Sequence, residues 1–143
     1  MNKTYESIYL SGEDRNVERL GTFVAWLVTN DLLEESLERS AASSVARVCM
    51  QDLTGPEFLT TVLHGDFKQV QLKQLGQDFV EAYFVSGQYD ADYEVCEYVG
   101  ENEWLRFDEV SPKITDAFRS FKKPKSAVRS LGAKIIQFPV RSK

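Results

Sequence analysis

The carboxylates between residues 90 and 103 are the side chains of this sequence whose types and spacing could do chemistry. Asp90, Asp92, Glu94 and Glu101 fit positions 1, 3, 5 and 12 of a calcium-binding EF-hand loop. The sharp turn of that loop requires glycine at position 6, and this chain has Val95 there. We therefore reject the EF-hand interpretation and predict no metal and no other cofactor.

On a helix, the same segment would present an acidic face, because steps of three and four residues return to one side. We call this set the acidic ridge; its members are Asp90, Asp92, Glu94, Glu97, Glu101 and Glu103. Like charges four residues apart destabilise a helix mildly, so the ridge needs compensation from the basic tail, a metal or a basic partner. An ordinary solvated helix face remains the alternative to the partner-binding role that we predict for these six residues.

The remaining reactive residue types form no catalytic set, and no catalytic residue is predicted. His64 is the one histidine, and its place before Gly65 at a predicted helix end favours a structural role. Cys49 and Cys96 lie on predicted apolar helix faces, which favours core packing. Two cysteines and one histidine at these spacings do not suffice for a zinc site. The glycines form no P-loop and no dinucleotide-binding motif.

Length and composition favour one globular domain. The chain has 143 residues, of which 43% are apolar and 12% aromatic, and this is too rich for a disordered protein. No apolar run reaches the ~18 residues that a membrane helix needs. The first residues lack the apolar centre of a secretory signal, and the low cysteine content suits a reducing compartment. We therefore predict a cytoplasmic protein with no membrane partner.

Charge is distributed unevenly along the chain. Residues 1–116 contain all 22 acidic residues and 9 Lys or Arg, a balance of −13, whereas residues 117–143 contain 8 Lys or Arg and no acid, a balance of +8. The acidic part should attract basic partners and repel nucleic acid. The basic part could bind an anion, an RNA or the acidic part of the same chain.

Apolar residues recur mainly at helical spacing. Helices are predicted at about 14–30, 41–50, 54–64, 72–84, 89–98 and 111–124. Thr54 and Glu57 have the spacing of a capping box, and Pro56 suits the first turn of that helix. Gly21 lies within the first helix, where it indicates close approach of another helix. The first dozen residues are predicted to be an extended lead-in.

These elements predict an all-α protein, a compact bundle of five to seven helices with a C-terminal basic appendage. Residues 1–121 form the predicted helical domain and residues 122–143 the basic tail. Residues 135–140 of the tail form an apolar segment that could pair across a homodimer. Trp26 is expected at a helix crossing. The predicted core consists of Leu20, Val24, Leu27, Phe58, Leu59, Val62, Leu75, Phe79, Tyr83, Tyr93, Ile114 and Phe118.

Several of these residues form a pattern that resembles a family of small, uncharacterised bacterial cytoplasmic proteins, over about residues 15–121. The pattern comprises Gly21-x-Phe23-x-Ala25-Trp26-Leu27, Leu53-Thr54-x-Pro56-x-Phe58-Leu59, Leu72-x-x-Leu75-Gly76-x-x-Phe79, Tyr83, Tyr89-x-x-Asp92-Tyr93 and Trp104. The chain departs from it at Arg19-Leu20, Gln74-Leu75 and Phe84, where the family has His-Ile, an acid before the glycine and a second tyrosine. In size, acidity and lack of a catalytic set, such proteins resemble the immunity proteins of bacterial toxin systems.

The resemblance and the acidic balance together predict a binding protein. It would be an immunity protein that neutralises a cognate toxin or effector, such as a basic nuclease domain, through the acidic ridge. Two alternatives from other classes remain open. One is a small enzyme that uses the carboxylates of residues 90–103, with or without a metal. The other is a protein that binds nucleic acid through residues 122–143.

Overall fold

Seven α-helices make up most of the residues that the structure, a computed structural model, describes, namely 3–8 and 14–123. They are α1 (Asp14–Thr29), α2 (Glu35–Ser40), α3 (Ala42–Cys49), α4 (Gly55–Thr61), α5 (Gln74–Val80), α6 (Gln88–Glu94) and α7 (Glu103–Lys122). The predicted all-α class is confirmed. Residues 124–143 lie outside the described residues, and with them almost all of the predicted basic tail and its apolar segment.

Helix α1 occupies the centre of the bundle, and its residues 20–28 are all buried. The ring of Trp26 meets Phe118 of α7 edge-on at 5.2 Å between centroids and lies 5.4 Å from Phe79 of α5. Its indole Nε1 donates a hydrogen bond to Thr115 Oγ1 at 3.0 Å. Trp26 therefore lies where three helices meet, as predicted, and its one polar atom is satisfied.

Helix α4 begins where its local signals place it. The backbone N–H of Glu57 donates to Thr54 Oγ1 at 3.3 Å, and the backbone N–H of Thr54 donates to the Glu57 carboxylate at 2.9 Å. These reciprocal bonds form the predicted capping box and satisfy two backbone donors of the first turn. Pro56 also lies in that turn, where a backbone N–H would have no acceptor within the helix, so the missing N–H of proline costs no hydrogen bond.

Glycine allows α1 and α4 to touch through their backbones. A Cβ built on Gly21 would lie 2.4 Å from the backbone nitrogen of Pro56, and one on Gly55 would lie 1.9 Å from the carbonyl oxygen of Gly21. Neither position has room for a side chain. The close approach inferred from Gly21 is therefore confirmed, and its partner is the first turn of α4.

Helix α5 continues into a π-helical turn at Glu81–Val85, and together they cover most of the predicted 72–84 helix. The buried residues follow helical spacing: Gly76, Phe79, Val80, Tyr83 and Phe84. Leu75 lies beside this face and is 42% exposed, so its place in the predicted core is wrong. Val62 and Tyr93 are only partly buried against the core. The other nine predicted core residues are buried.

A two-stranded sheet holds the start of the chain. Strand β1 (Thr4–Ser7) pairs antiparallel with β2 (Asp66–Lys68), and a 3₁₀ turn at Gln69–Gln71 follows β2. The predicted extended start is confirmed at Thr4–Ser7, and its strand partner lies about sixty residues further along the chain. Phe67 of β2 is buried and places the sheet against the core.

Helix α7 begins eight residues before the predicted start at Ser111–Pro112, which is therefore wrong. Asn102 caps the helix because its Oδ1 accepts hydrogen bonds from the backbone N–H groups of Trp104 (3.0 Å) and Leu105 (3.1 Å). Pro112 lies inside the helix on its exposed side. The buried face continues past it at four-residue steps: Arg106, Val110, Ile114 and Phe118. Packing along this face outweighs the cost of an internal proline.

Candidate functional site

The acidic ridge is not one helix face. Helix α6 ends at Glu94, residues 95–102 are non-helical, and Glu103 begins α7. The structure therefore divides the six predicted residues into three groups. Asp90, Asp92 and Glu94 lie on α6, Glu97 and Glu101 lie in the segment 95–102, and Glu103 lies at the α7 start.

Asp90 is an anchor of α6. Its carboxylate accepts a hydrogen bond from the Arg19 guanidinium at 2.8 Å, and the same guanidinium pairs with Glu6 of β1. Arg19 thus joins β1, α1 and α6. Burial raises the pKa of Glu6, and the charge of Arg19 acts against that rise. Asp90 therefore already has a cationic partner, Arg19, within the same chain.

Asp92 lies on the other side of this helix and interacts with the π-helical turn. The hydroxyl of Tyr83 donates a hydrogen bond to Asp92 Oδ2 at 2.7 Å. Burial, and then the Asp92 carboxylate, raise the pKa of Tyr83 far above its usual value of 10.0. The tyrosine therefore remains protonated, and a hydrogen-bond donor, at any physiological pH.

Glu103 belongs to a largely buried ion pair rather than to a solvated ridge. Its carboxylate pairs with Arg106, whose side chain is 8% exposed. Burial raises the pKa of Glu103, and the Arg106 charge partly offsets that rise. The guanidinium also donates to the carbonyl oxygen of Gly100 at 2.6 Å and lies 5.8 Å from the centre of the Tyr98 ring. Arg106 therefore fixes the second half of the segment 95–102.

Glu109 fixes the first half of that segment. Its two carboxylate oxygens accept hydrogen bonds from the backbone N–H groups of Glu97 (2.6 Å) and Tyr98 (2.9 Å). These bonds lower the pKa of Glu109. Helix α6 does not continue to residue 98, because these two amides are hydrogen-bonded to α7 instead. Glu109 and Arg106 are not among the predicted site residues, and no local spacing identifies them.

Glu109→Gln tests this anchor. An amide has one acceptor oxygen and no charge, so we expect the Glu97 and Tyr98 amides to exchange with deuterium about tenfold faster. Asp108→Asn, on the neighbouring exposed residue, is the control and should leave exchange unchanged. Since the folded pKa of Glu109 is lowered, the anchor should hold at pH 4.5 and be lost only as pH falls through that lower pKa. Equal exchange in all three proteins would contradict the assignment.

The anchored segment exposes apolar side chains among acids. Val99 is 94% exposed and Val95 is 64% exposed, and Leu105 of the adjoining helix turn is 51% exposed. Glu97 and Glu101 are exposed in the same segment. We call residues 94–101 the acidic loop. The acidic loop therefore presents exposed valine side chains next to exposed carboxylates. Hydrogen bonds to α7 hold its backbone in place.

Two clefts lie beside α6 and α7. The larger has a volume of about 550 Å³ and is lined by Phe79, Ala82, Tyr83, Gln88, Asp92, Lys113, Asp116, Ala117, Ser120 and Phe121. The smaller has a volume of about 330 Å³ and is lined by Glu18, Tyr93, Glu94, Cys96, Tyr98, Val99 and Arg106. Asp92 thus lines the larger cleft, whereas the acidic loop lines the smaller one through Glu94, Cys96, Tyr98 and Val99.

The other reactive residues are separate from these clefts, with one exception. His64 is exposed and has a left-handed backbone conformation (φ 58°), and Cys49 is exposed at the end of α3, so its predicted core role is wrong. Cys96 is partly buried beside the smaller cleft, and burial raises its pKa, which disfavours the thiolate. Within residues 3–8 and 14–123, no three His, Cys, Asp or Glu side chains are grouped to hold a metal ion.

The chain belongs to a family defined by a domain of unknown function, DUF7832, whose model matches residues 7–104. The match extends from the end of β1 to the first turn of α7 and includes the acidic loop. No curated protein and no solved structure matches the chain. Of the helices described, none is both long enough and apolar enough to span a membrane.

Proposed function

We propose that this protein is a cytoplasmic immunity protein that binds a cognate toxin or effector and neutralises it. The supporting observation is the acidic loop: Glu109 and Arg106 fix its backbone, yet Val95 and Val99 extend into solvent beside exposed carboxylates. A protein interface combines an apolar centre with a polar rim. A loop that is already ordered loses little conformational entropy on binding.

The charge of the chain indicates the chemistry of the partner. Residues 1–116 have a balance of −13, and Glu94, Glu97 and Glu101 add local negative charge around the apolar tips. Such a surface accelerates association with a basic protein and disfavours an acidic one. A nuclease domain, whose active site must attract phosphates, has the matching basic surface.

The proposal is tested by co-expressing the chain with each protein encoded by the genes next to its own. We expect one of them to arrest growth alone and to be neutralised by the chain, with a 1:1 complex in calorimetry. Failure of the chain to rescue growth from any of these proteins, or to bind them, would refute the immunity role.

Val99→Asp tests whether the acidic loop is the interface. We expect at least about a hundredfold weaker toxin binding, because a central apolar contact is replaced by a desolvated charge. Val70→Asp is the matched control, since Val70 is 50% exposed in the 3₁₀ turn after β2, outside the loop. Equal affinities for the two variants would place the interface elsewhere.

A further inference from the structure

We propose that the larger cleft is a socket for an arginine side chain of the partner protein. This inference rests on the proposed function, since it names the group that the partner would insert. Helix α6 lines both clefts, the larger one through Asp92 and the smaller one, beside the acidic loop, through Glu94, so a partner that covers α6 would reach both. The lining offers a guanidinium an aromatic wall and two carboxylates, against one cation.

The wall of the cleft is aromatic. Phe79 and Tyr83 stack with their rings 9° apart at 5.1 Å, and Phe121 lies 5.6 Å from Phe79. All three side chains line the cleft. Phe79 and Tyr83 are only 1% and 2% exposed, so they back the cleft, and the partly buried Phe121 is the ring that a side chain in the cleft can contact. A guanidinium plane stacks on such a ring and loses less hydration than an ammonium group does. This wall therefore favours arginine over lysine.

Two carboxylates from different helices complete the socket. Asp92 lines the cleft from α6 and Asp116 from α7. The hydroxyl of Tyr83 holds Asp92 through Oδ2, and its Oδ1 can accept from a guanidinium. Asp116 is more open and lies 3.8 Å from the exposed Arg119, a contact that an incoming arginine can replace. Both acids thus provide charge where a cation would enter.

Lys113 is the one cation in the lining, and its charge also acts on a carboxylate outside the lining. It lies one turn after Glu109 on α7, and its charge contributes to the lowered pKa of Glu109. The lining contains two carboxylates, Asp92 and Asp116, and one cation. The volume of about 550 Å³ holds an arginine side chain together with its neighbouring backbone.

The test is an NMR titration of the full chain with a blocked Gly-Arg-Gly peptide. We expect the amides of Ala82, Ala117 and Ser120 to shift with an affinity on the order of 1 mM. The citrulline peptide has the same shape without charge and should cause no such shift, and the lysine peptide should bind more weakly. Asp116→Asn should weaken binding about fivefold to tenfold, whereas Asp108→Asn, an equal change in net charge outside the cleft, should not.

Several results would overturn the socket. They are equal binding of the citrulline peptide, equal losses in the Asp116→Asn and Asp108→Asn variants, or no shift at the three amides. Contacts in the free protein from Ala117 or Ser120 to residues 124–143, seen as nuclear Overhauser effects, would assign the cleft to the chain's own basic segment instead. Asp92→Asn is a second variant, with a folding control because it alters the Tyr83 bond.

The socket and the immunity role can fail separately. If the chain neutralises a toxin but Asp92→Asn and Asp116→Asn leave toxin affinity unchanged, the socket is wrong and the proposed function stands. If no toxin is neutralised but the arginine peptide binds as expected, the socket stands and its partner is a different basic protein.

Discussion

Replacing Gly55 with alanine is expected to lower the free energy of unfolding by about 3 kcal/mol, the upper range for an overpacked contact. The added methyl group would lie 1.9 Å from the carbonyl oxygen of Gly21 and 2.6 Å from its carbonyl carbon. Both are backbone atoms of α1, so no side chain can rotate away. The two helices must separate, and the buried residues between them lose contacts.

Chemical unfolding followed by tryptophan fluorescence measures this loss, and the melting temperature should fall by roughly 10 °C. Gly87→Ala is the matched control. Gly87 has φ +94° and nothing within 4 Å of an added Cβ, so only backbone strain of about 1 kcal/mol is expected. Losses of the same size in the two variants would contradict the backbone contact between α1 and α4.

Arg106→Leu should also lower the free energy of unfolding by about 3 kcal/mol, since it leaves the largely buried Glu103 carboxylate without its counter-charge. It removes as well the donor to the Gly100 carbonyl and the contact with the Tyr98 ring. We therefore expect the acidic loop to lose order together with the global stability. Loop order can be measured separately through amide exchange at residues 97–101.

The combined Glu103→Leu and Arg106→Leu variant separates charge from packing. It should recover most of the lost stability, because no buried charge remains.

Lowering the pH should also reduce the loss of stability in the Arg106→Leu variant. Burial raises the pKa of Glu103 above its usual 4.5, and removing Arg106 raises it further. The folded state then binds the proton more tightly, so its relative stability increases as pH falls from that pKa towards 4.5. A loss independent of pH, or not recovered in the double variant, would contradict the ion-pair explanation.

Local signals were sufficient for part of the fold. The capping box at Thr54 and Glu57 fixed the start of α4 because its hydrogen bonds join residues three apart. The apolar stripe of α1 predicted a buried helix, and Gly21 within it predicted a close helix contact. Such features depend on neighbouring residues or on the absence of a side chain, and both can be read from one segment.

Predictions at helix ends failed where a distant group competed for the backbone. Helix α6 was expected to reach residue 98, but the Glu109 carboxylate takes the amides of Glu97 and Tyr98. Helix α7 was expected to begin at Pro112, but the Asn102 cap and a buried face that starts at Arg106 move its start to Glu103. In both cases a tertiary contact outweighed a local tendency.

The helical class, most of the core and the presence of an acidic region are predictable from the chain, since these follow from composition and periodicity. Long-range packing sets how the six ridge carboxylates divide among two ion pairs, a cleft and an exposed loop. Asp90 pairs with Arg19, seventy-one residues away, and Asp92 faces a cleft completed by α7. The role of a carboxylate depends on which cations, donors and rings surround it, and long-range packing brings those groups together.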